Sequence, residues 1–503
     1  MLEILDTTLR DGEQTNGVAF SAHEKKAIAR LLIKELNVDR IEIASARVSD
    51  GEFEAVRGIT SWAAQAGCLD RIEILGFVDS GKSLAWIRDA GGRMMNLLCK
   101  GSLRHLTEQL KKRPEEHFSD IAGQVELATQ MGIGVNVYLE DWSNGMKNSP
   151  DYVFNLVEAI IPLNISRFML PDTLGILTPD VTYDFCCEMR RRFPQARFDF
   201  HAHNDYDLAV ANVYSAIRAG VNGIHVTING LGERAGNASL SSAVAIIHDQ
   251  LGMKTNIKED KINHVSKVVE TYSGIHISPN QPVIGENVFT QCAGVHADGD
   301  SKNNLYCNAL VPERFGRTRE YALGKTSGNA NIRKNLELLG IDLDEESMRK
   351  VTQRVIELGD KKEQVTQEDL PYIVSDVLRY DIVDKIKILN YSLSLTQGLK
   401  PVATLKIEIG GKEYEETATG DGQYDAFVRA LRKIYKSLGR KFPMLTNYAV
   451  SIPPGGRTDA FVQTIISWNH DGVDFKTRGL DADQMEAAIK ATIKMLNKIE
   501  SGN

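Results

Sequence analysis

Eight short β-rich apolar runs recur through the first half of this chain with helical patterns between them, and that alternation limits the fold more than any other feature. The runs are LEILD (2–6), RIEIAS (40–45), RIEILGF (71–77), RMMNLLC (93–99), GVNVYLE (134–140), RFMLPDT (167–173), RFDFHAH (197–203) and GIHVTING (223–230). Stretches such as SAHEKKAIARLLIKEL and DYDLAVANVYSAIRAG carry helical periodicity between them. Eight strand–helix units within about 250 residues predict a closed (β/α)8 TIM barrel in preference to an open doubly wound sheet. Polar residues gather where the runs end: Arg10 and Asp11, Ser45, Glu140, Asp172 and Thr173, His201 and His203, Asn229. In a barrel the carboxyl ends of the strands carry the active site, so these residues are expected around one mouth.

At 503 residues the chain is long enough for further domains. A barrel over residues 1–273 is followed by an irregular and then charge-rich helical stretch, 274–384, read as linker subdomains. From 385 the pattern changes to alternating strands, and ATLKIEIGGKEYEETATGDGQYDAFVRALRKIYKSL is answered by TIISWNHDGVDFKTRGLDADQMEAAIKATIKMLNKI. Two βββα units about a pseudo-twofold axis are expected there, in an α+β domain at 385–503. The 42% hydrophobic and 25% charged content is that of a soluble globular protein. Its net charge of −8 argues against nucleic acid or an anionic membrane as a partner. No apolar run approaches the roughly 18 residues of a membrane span, and the six scattered cysteines form no CxxC pair. A reduced, cytoplasmic protein is expected.

Within the first run, TLRDGEQT (8–15) offers a planar guanidinium at Arg10, suited to a carboxylate or a developing oxyanion, and a hard anionic ligand at Asp11. His201 and His203 lie two apart in a strand pattern and so share a face. One carboxylate and two imidazoles leave positions open for substrate oxygens, as a catalytic divalent site requires. Asn237, in GLGERAGN (230–237), offers a further oxygen. Such mixed ligands leave zinc, manganese, magnesium and cobalt all open.

LRDGEQ with Lys25 eleven residues after Gln14, the His-x-His-Asn-Asp segment, GLGERAGN, GVHADG and LGKTSGN occur in this order along the chain. Together they resemble the α-isopropylmalate and citramalate synthase family over essentially the whole length. The resemblance implies a metal-dependent acyltransferase that condenses acetyl-CoA with a 2-oxo acid and hydrolyses the thioester. It also implies a homodimer inhibited by a branched-chain amino acid. The chain departs from relatives at Tyr206-Asp207, where many read Leu-Gly, and at Gln291-Cys292, where a His-Glu pair is common.

The residues fit that chemistry. A bound metal would supply a Lewis acid and a chelating template for the 2-oxo acid, Arg10 is suited to stabilise charge growing on the carbonyl oxygen, and Thr173 is placed to bind the substrate carboxylate. The base that takes the acetyl proton is Glu140 or His296; the residues leave both open. The resemblance implies that His296 and Tyr306 sit over the thioester, with Asp298 beside them. Leu75, Leu98 and Tyr138 are expected to wall the pocket for the substrate's side chain. Tyr138 stands where isopropylmalate synthases usually have a small serine, so pyruvate, giving (R)-citramalate, is favoured over 2-oxoisovalerate. His225, inside its strand, reads as a core histidine. In the C-terminal domain the resemblance places the effector against Leu445, Tyr448, Ile452, Thr458, Asp459 and Val462, around a Pro-Pro-Gly-Gly turn. A metal-dependent aldolase or lyase of the same barrel superfamily shares the Arg-Asp and His-x-His features, but would not explain GVHADG or the repeated domain.

Overall fold

The computed structural model describes residues 2–302, 304–360, 365–378, 385–451 and 462–501. Two compact units make it up, 1–289 with 307–319, and 290–306 with 320–503.

The first unit is a closed barrel of eight parallel strands in sequential order. They are β1 (Glu3–Asp6), β2 (Arg40–Ser45), β3 (Ile72–Phe77), β4 (Met94–Lys100), β5 (Gly134–Glu140), β6 (Ile165–Asp172), β7 (Phe198–Ala202) and β8 (Gly223–Val226). β8 returns to β1 with Ile4 opposite Ile224 and Asp6 opposite Val226, which removes both sheet edges. The first two α-helices between the strands start on side-chain caps. Ser21 and Glu24 form a reciprocal capping box ahead of Ala22–Arg30, and Ser49 caps Asp50–Gln65. The main apolar core lies between strands and helices and includes Ile41, Ile43, Ile72, Ile74, Val135 and Val137 of the strands with Ile28, Val56, Ile59 and Ile121 of the helices.

A second, smaller apolar group fills part of the barrel's interior: Leu5, Leu75, Tyr138 and Met169, with half-buried Leu98 packed against them. Polar side chains share that interior. Asn136 donates to Asn96 at 2.8 Å, and Asn96 donates to Glu42 at 2.7 Å. Arg40 pairs with Glu73 at 2.8 Å and with Asp199 at 2.5 Å. The segment 307–319 belongs to this unit because Arg314 pairs with Asp249 at 2.6 Å and with Glu259, while Phe315 stacks on Phe289 with ring centroids 6.0 Å apart.

In the second unit β9 (Thr290–Gln291) pairs with β10 (Glu320–Tyr321). Helices Asn329–Leu338, Glu345–Asp360 and Leu370–Leu378 enclose a core of Ile332, Leu336, Met348, Val351, Val355 and Leu370. Two antiparallel three-stranded sheets follow, β11 (Ile386–Ser394), β12 (Val402–Ile409) and β13 (Lys412–Thr419), then β14 (Met444–Ser451), β15 (Val462–His470) and β16 (Val473–Asp481). A helix follows each sheet, Gln423–Ser437 and Gln484–Ser501, which is the repeated βββα order read from the sequence. Both halves contribute to one core, with Leu405, Ile407, Phe427 and Leu431 from the first and Ile466, Trp468, Ala491 and Met495 from the second.

Candidate metal centre and active site

The loop after β1 presents Arg10 and Asp11 because its backbone is pinned from below. Asp11 and Gly12 both donate their amides to the Thr7 carbonyl, at 2.8 and 3.1 Å. Lys25, fully buried, donates to the Leu9 carbonyl at 3.2 Å and pairs with Glu13 at 2.6 Å and with Glu52. A buried ammonium whose three donors all find oxygens is a rigid tie. Lys25, eleven residues beyond the LRDGEQ segment, therefore holds the residue immediately before Arg10.

Asp11, His201 and His203 converge, all buried, with their ligand atoms within 4.8 Å of one another. His201 Nε2 lies 3.1 Å from Asp11 Oδ2 and 3.3 Å from His203 Nε2. β7 ends at Ala202, one residue before His203. An isolated bridge between His203 and Asn237 keeps the second imidazole in line. Asn237 donates to Asp11 Oδ2 at 2.6 Å, while its own Oδ1 is buried without a protein partner. Gly236, at φ 82°, makes this approach possible: a Cβ there would run into the Gly230 carbonyl.

These donors suit a divalent ion. Two ligands about 2.0–2.2 Å from a shared ion, at ordinary ligand angles, stand about 3.0–3.4 Å apart, the separation seen for His201 Nε2 with Asp11 Oδ2 and with His203 Nε2. Burial and the neighbouring His201 lower His203 to about 3, so its imidazole is neutral and its lone pair is available. Burial alone would raise Asp11, but Arg10 and His201 hold its carboxyl well below the usual range. Asp11 and His203 are thereby in the protonation states that metal binding needs.

Around this centre Arg10 is held on three sides. Its Nε donates to Glu42 Oε2 at 2.6 Å, Nη1 lies 3.2 Å from Asp11 Oδ1, and Nη2 donates to the Tyr138 hydroxyl at 3.4 Å. Tyr138 is buried, with its ring edge-on to His201 at 6.0 Å. Leu75 and Leu98 join it in the interior apolar group. Glu140, half-buried at the end of β5, pairs with Lys100, its direct neighbour in register on β4. Thr173 accepts the Asp141 amide at 2.9 Å. On the rim Arg234 donates to both oxygens of Asp205, at 2.7 and 2.9 Å, and to the Thr173 carbonyl at 2.8 Å. GLGERAGN and the residues after the histidines are thereby tied together.

Of the strand-end residues expected at the mouth, Asn229 is a correction. It adopts a positive φ, and its side chain binds Ser266 of the Ile262–Ser273 helix, because β8 stops at Val226 and the chain turns outward. His225 is buried, as its place in the strand implied. Glu42, Asn96 and Lys100 were missed. For Glu42 and Asn96 the signal was a polar residue inside an apolar run, RIEIAS and RMMNLLC, where burial demands a partner; Lys100 lies just past the second run.

In the second unit His296 stands on the Gly294–Ser301 helix with its ring 4.3 Å from that of Tyr306. Asp298 pairs with Lys302 at 2.6 Å. Among the expected effector residues, Leu445 and Tyr448 lie half-buried on β14, with Tyr448 5.2 Å from the Tyr424 ring, and Val462 begins β15. Ile452, Thr458 and Asp459 lie outside the described residues.

Residues 1–269 match the HMGL-like family, 283–363 the homocitrate synthase post-HMGL domain-like family, and 364–500 the LeuA allosteric (dimerisation) domain. Over 501 residues the chain is 33% identical to the (R)-citramalate synthase of Methanocaldococcus jannaschii, covering 99% of both chains. The chain belongs to the isopropylmalate and citramalate synthase family. Within that family its identity to the 2-isopropylmalate synthase of the same organism is also 33%, over 503 residues, 99% of this chain and 94% of that one. The 2-isopropylmalate synthase of Pyrococcus abyssi is 33% identical over 500 residues, 96% of this chain and 99% of that one. Overall identity therefore does not separate the two activities, and the question passes to the residues of the pocket. Among the described residues no helix is long and apolar enough to cross a membrane.

Proposed function

We propose that this chain condenses acetyl-CoA with pyruvate and water to give (R)-citramalate and CoA. The observation that carries the reading is Tyr138, whose buried ring stands beside Arg10 and His201 together with Leu75 and Leu98. A side chain of that size leaves space for a methyl group where a serine would admit an isopropyl group.

Asp11, His201, His203 and Asn237 would hold a divalent ion. When bound, such an ion supplies a Lewis acid and a chelating template for the oxygens of a 2-oxo acid. Arg10 has five N–H donors, and its three contacts leave two to stabilise charge on the substrate's carbonyl oxygen. The Thr173 oxygen accepts from Asp141, so the hydroxyl proton is available for the substrate carboxylate. Glu140 or His296 takes the proton from the acetyl methyl, and Lys100 keeps the Glu140 carboxylate fixed at its strand end. By family resemblance His296, Tyr306 and Asp298 act at the thioester and come from the partner subunit of a cytoplasmic homodimer. The same resemblance makes the C-terminal domain the receptor for a branched-chain amino acid.

CoA release from acetyl-CoA, measured with a panel of 2-oxo acids with and without chelator, tests the reading. Pyruvate is expected to have the highest kcat/KM, and Tyr138→Ser to move the preference toward 2-oxoisovalerate by about tenfold or more. A wild-type preference for 2-oxoisovalerate would make the chain a 2-isopropylmalate synthase. Carbon–carbon cleavage without condensation would make it a lyase.

A further inference from the structure

Tyr138 has one hydroxyl proton, and its neighbours decide where that proton goes. Arg10 Nη2, which can only donate, reaches the hydroxyl oxygen at 3.4 Å. His225 Nδ1 lies 2.9 Å from the same oxygen. The hydroxyl therefore accepts from Arg10 and donates to Nδ1, which leaves the imidazole proton on Nε2. That nitrogen faces Asp199 Oδ2 at 3.7 Å, and Asp199 is held by Arg40 at 2.5 Å and Arg167 at 3.5 Å. The Asp199 carboxylate favours a proton on Nε2 by its charge, although Nε2 makes no hydrogen bond of its own.

The contact spans the barrel. β5, which carries Tyr138, neighbours β4 and β6, whereas β8, which carries His225, neighbours β7 and β1. The two rings meet edge to face across the interior, with centroids 5.5 Å apart and planes at 81°. Both residues are buried, as is Asp199. A tyrosine side chain swings about two torsions, and Leu5, Leu75 and Met169 give its ring an apolar wall without a polar anchor. Of the two polar groups on its hydroxyl, Arg10 at 3.4 Å and the His225 imidazole at 2.9 Å, the imidazole is the closer anchor.

We propose that His225 is a positioning residue for substrate selectivity: through the Tyr138 hydroxyl it fixes the ring that closes the pocket around the side chain of the 2-oxo acid. The inference rests on the reading that Tyr138 faces that side chain. It assigns to a strand-interior histidine a task in the choice between a methyl and an isopropyl group.

The test compares wild type with Tyr138→Phe, His225→Leu, His225→Gln and the Tyr138→Phe/His225→Leu double variant. For each, kcat/KM is measured for pyruvate and 2-oxoisovalerate, and both acids are titrated calorimetrically in the presence of Mn2+. Loss of one hydrogen bond from either end is expected to lower the pyruvate-to-2-oxoisovalerate ratio about fivefold. The double variant is expected to lower it no further than either single one. His225→Gln, whose amide oxygen still accepts the hydroxyl proton, is expected to restore most of the ratio. A structural role alone would depress both acids equally and leave the ratio unmoved. Tyr138→Phe needs no change of volume, so a folded Tyr138→Phe enzyme with the wild-type ratio overturns the inference even if His225→Leu does not fold. A wild type that prefers 2-oxoisovalerate sinks the pyruvate reading, while equal shifts in the two single variants still uphold His225. A chain that binds neither acid overturns both.

Discussion

Glu42 Oε2 accepts from Arg10 Nε at 2.6 Å, so a carboxylate on β2 aims the guanidinium that the loop after β1 presents. The other oxygen of Glu42 accepts from Asn96 on β4, and Asn96 in turn accepts from Asn136 on β5. The orientation of Arg10 is thus fixed by three further strands, none of them contiguous with it in sequence.

Glu42→Gln keeps the shape and removes the charge. Saturating kcat with pyruvate is expected to fall about ten- to hundredfold, the scale of a donor displaced by up to an ångström. Glu42→Ala leaves Arg10 buried beside an empty site and is expected to lose about 3–5 kcal/mol in urea denaturation as well. A wild-type kcat in Glu42→Gln would show that Arg10 is aimed by its other contacts.

Each of Asp11→Ala, His201→Ala and His203→Ala is expected to abolish turnover and to reduce bound metal to background by elemental analysis. Binding to the folded state alone must also stabilise it. The wild type is expected to gain about 2.7 kcal/mol at a free Mn2+ concentration one hundred times its Kd, a gain absent in all three variants. A metal-free His203→Ala protein with full activity would exclude the site.

His117 links pH to the end of β4. Its Nε2 accepts the Lys100 amide at 3.1 Å, and burial, helped by Lys112, lowers the imidazole from 6.5 to about 4. Between those values the unfolded chain binds a proton that the folded chain refuses. Its contribution to stability is therefore present above pH 6.5 and lost as the pH falls toward 4. From pH 7 to pH 5 this histidine alone is expected to remove about 2 kcal/mol. His117→Gln, which retains an acceptor for Lys100, is expected to show an acid loss smaller by that amount. An unchanged difference between the two pH values would mean that His117 is protonated in the fold.

Feedback inhibition follows if the C-terminal domain is a receptor. Isoleucine at millimolar concentration is expected to inhibit CoA release more strongly than leucine. A chain ending at residue 384 is expected to lose that response. The effect requires differential affinity for two states of the enzyme. A full-length enzyme indifferent to both amino acids would leave the domain with dimerisation alone.

The barrel and the repeated C-terminal domain were legible in the chain because both depend on local pattern. A strand and a helix each announce their period within a dozen residues, and eight repetitions admit one simple closure. The convergence of the candidate metal ligands was legible too. His201 and His203 share a strand direction, and Asp11 and Asn237 sit in loops whose ends the barrel must bring to the same rim. The second tier of contacts was not legible. Glu42 meets Arg10, Lys100 meets Glu140 and His225 meets Tyr138 through register and through the barrel's interior. Periodicity says which face a residue occupies, not which side chain it meets across a closed sheet. Asn229 shows the same boundary from the other side: its place at the end of a run suggested the mouth, and a backbone turn after Val226 sent it to a helix. Which elements form was written in neighbouring residues. Which buried polar groups satisfy one another was decided only when closure brought strands 30 to 220 residues apart into contact, since an unpaired buried charge costs too much to be left to chance.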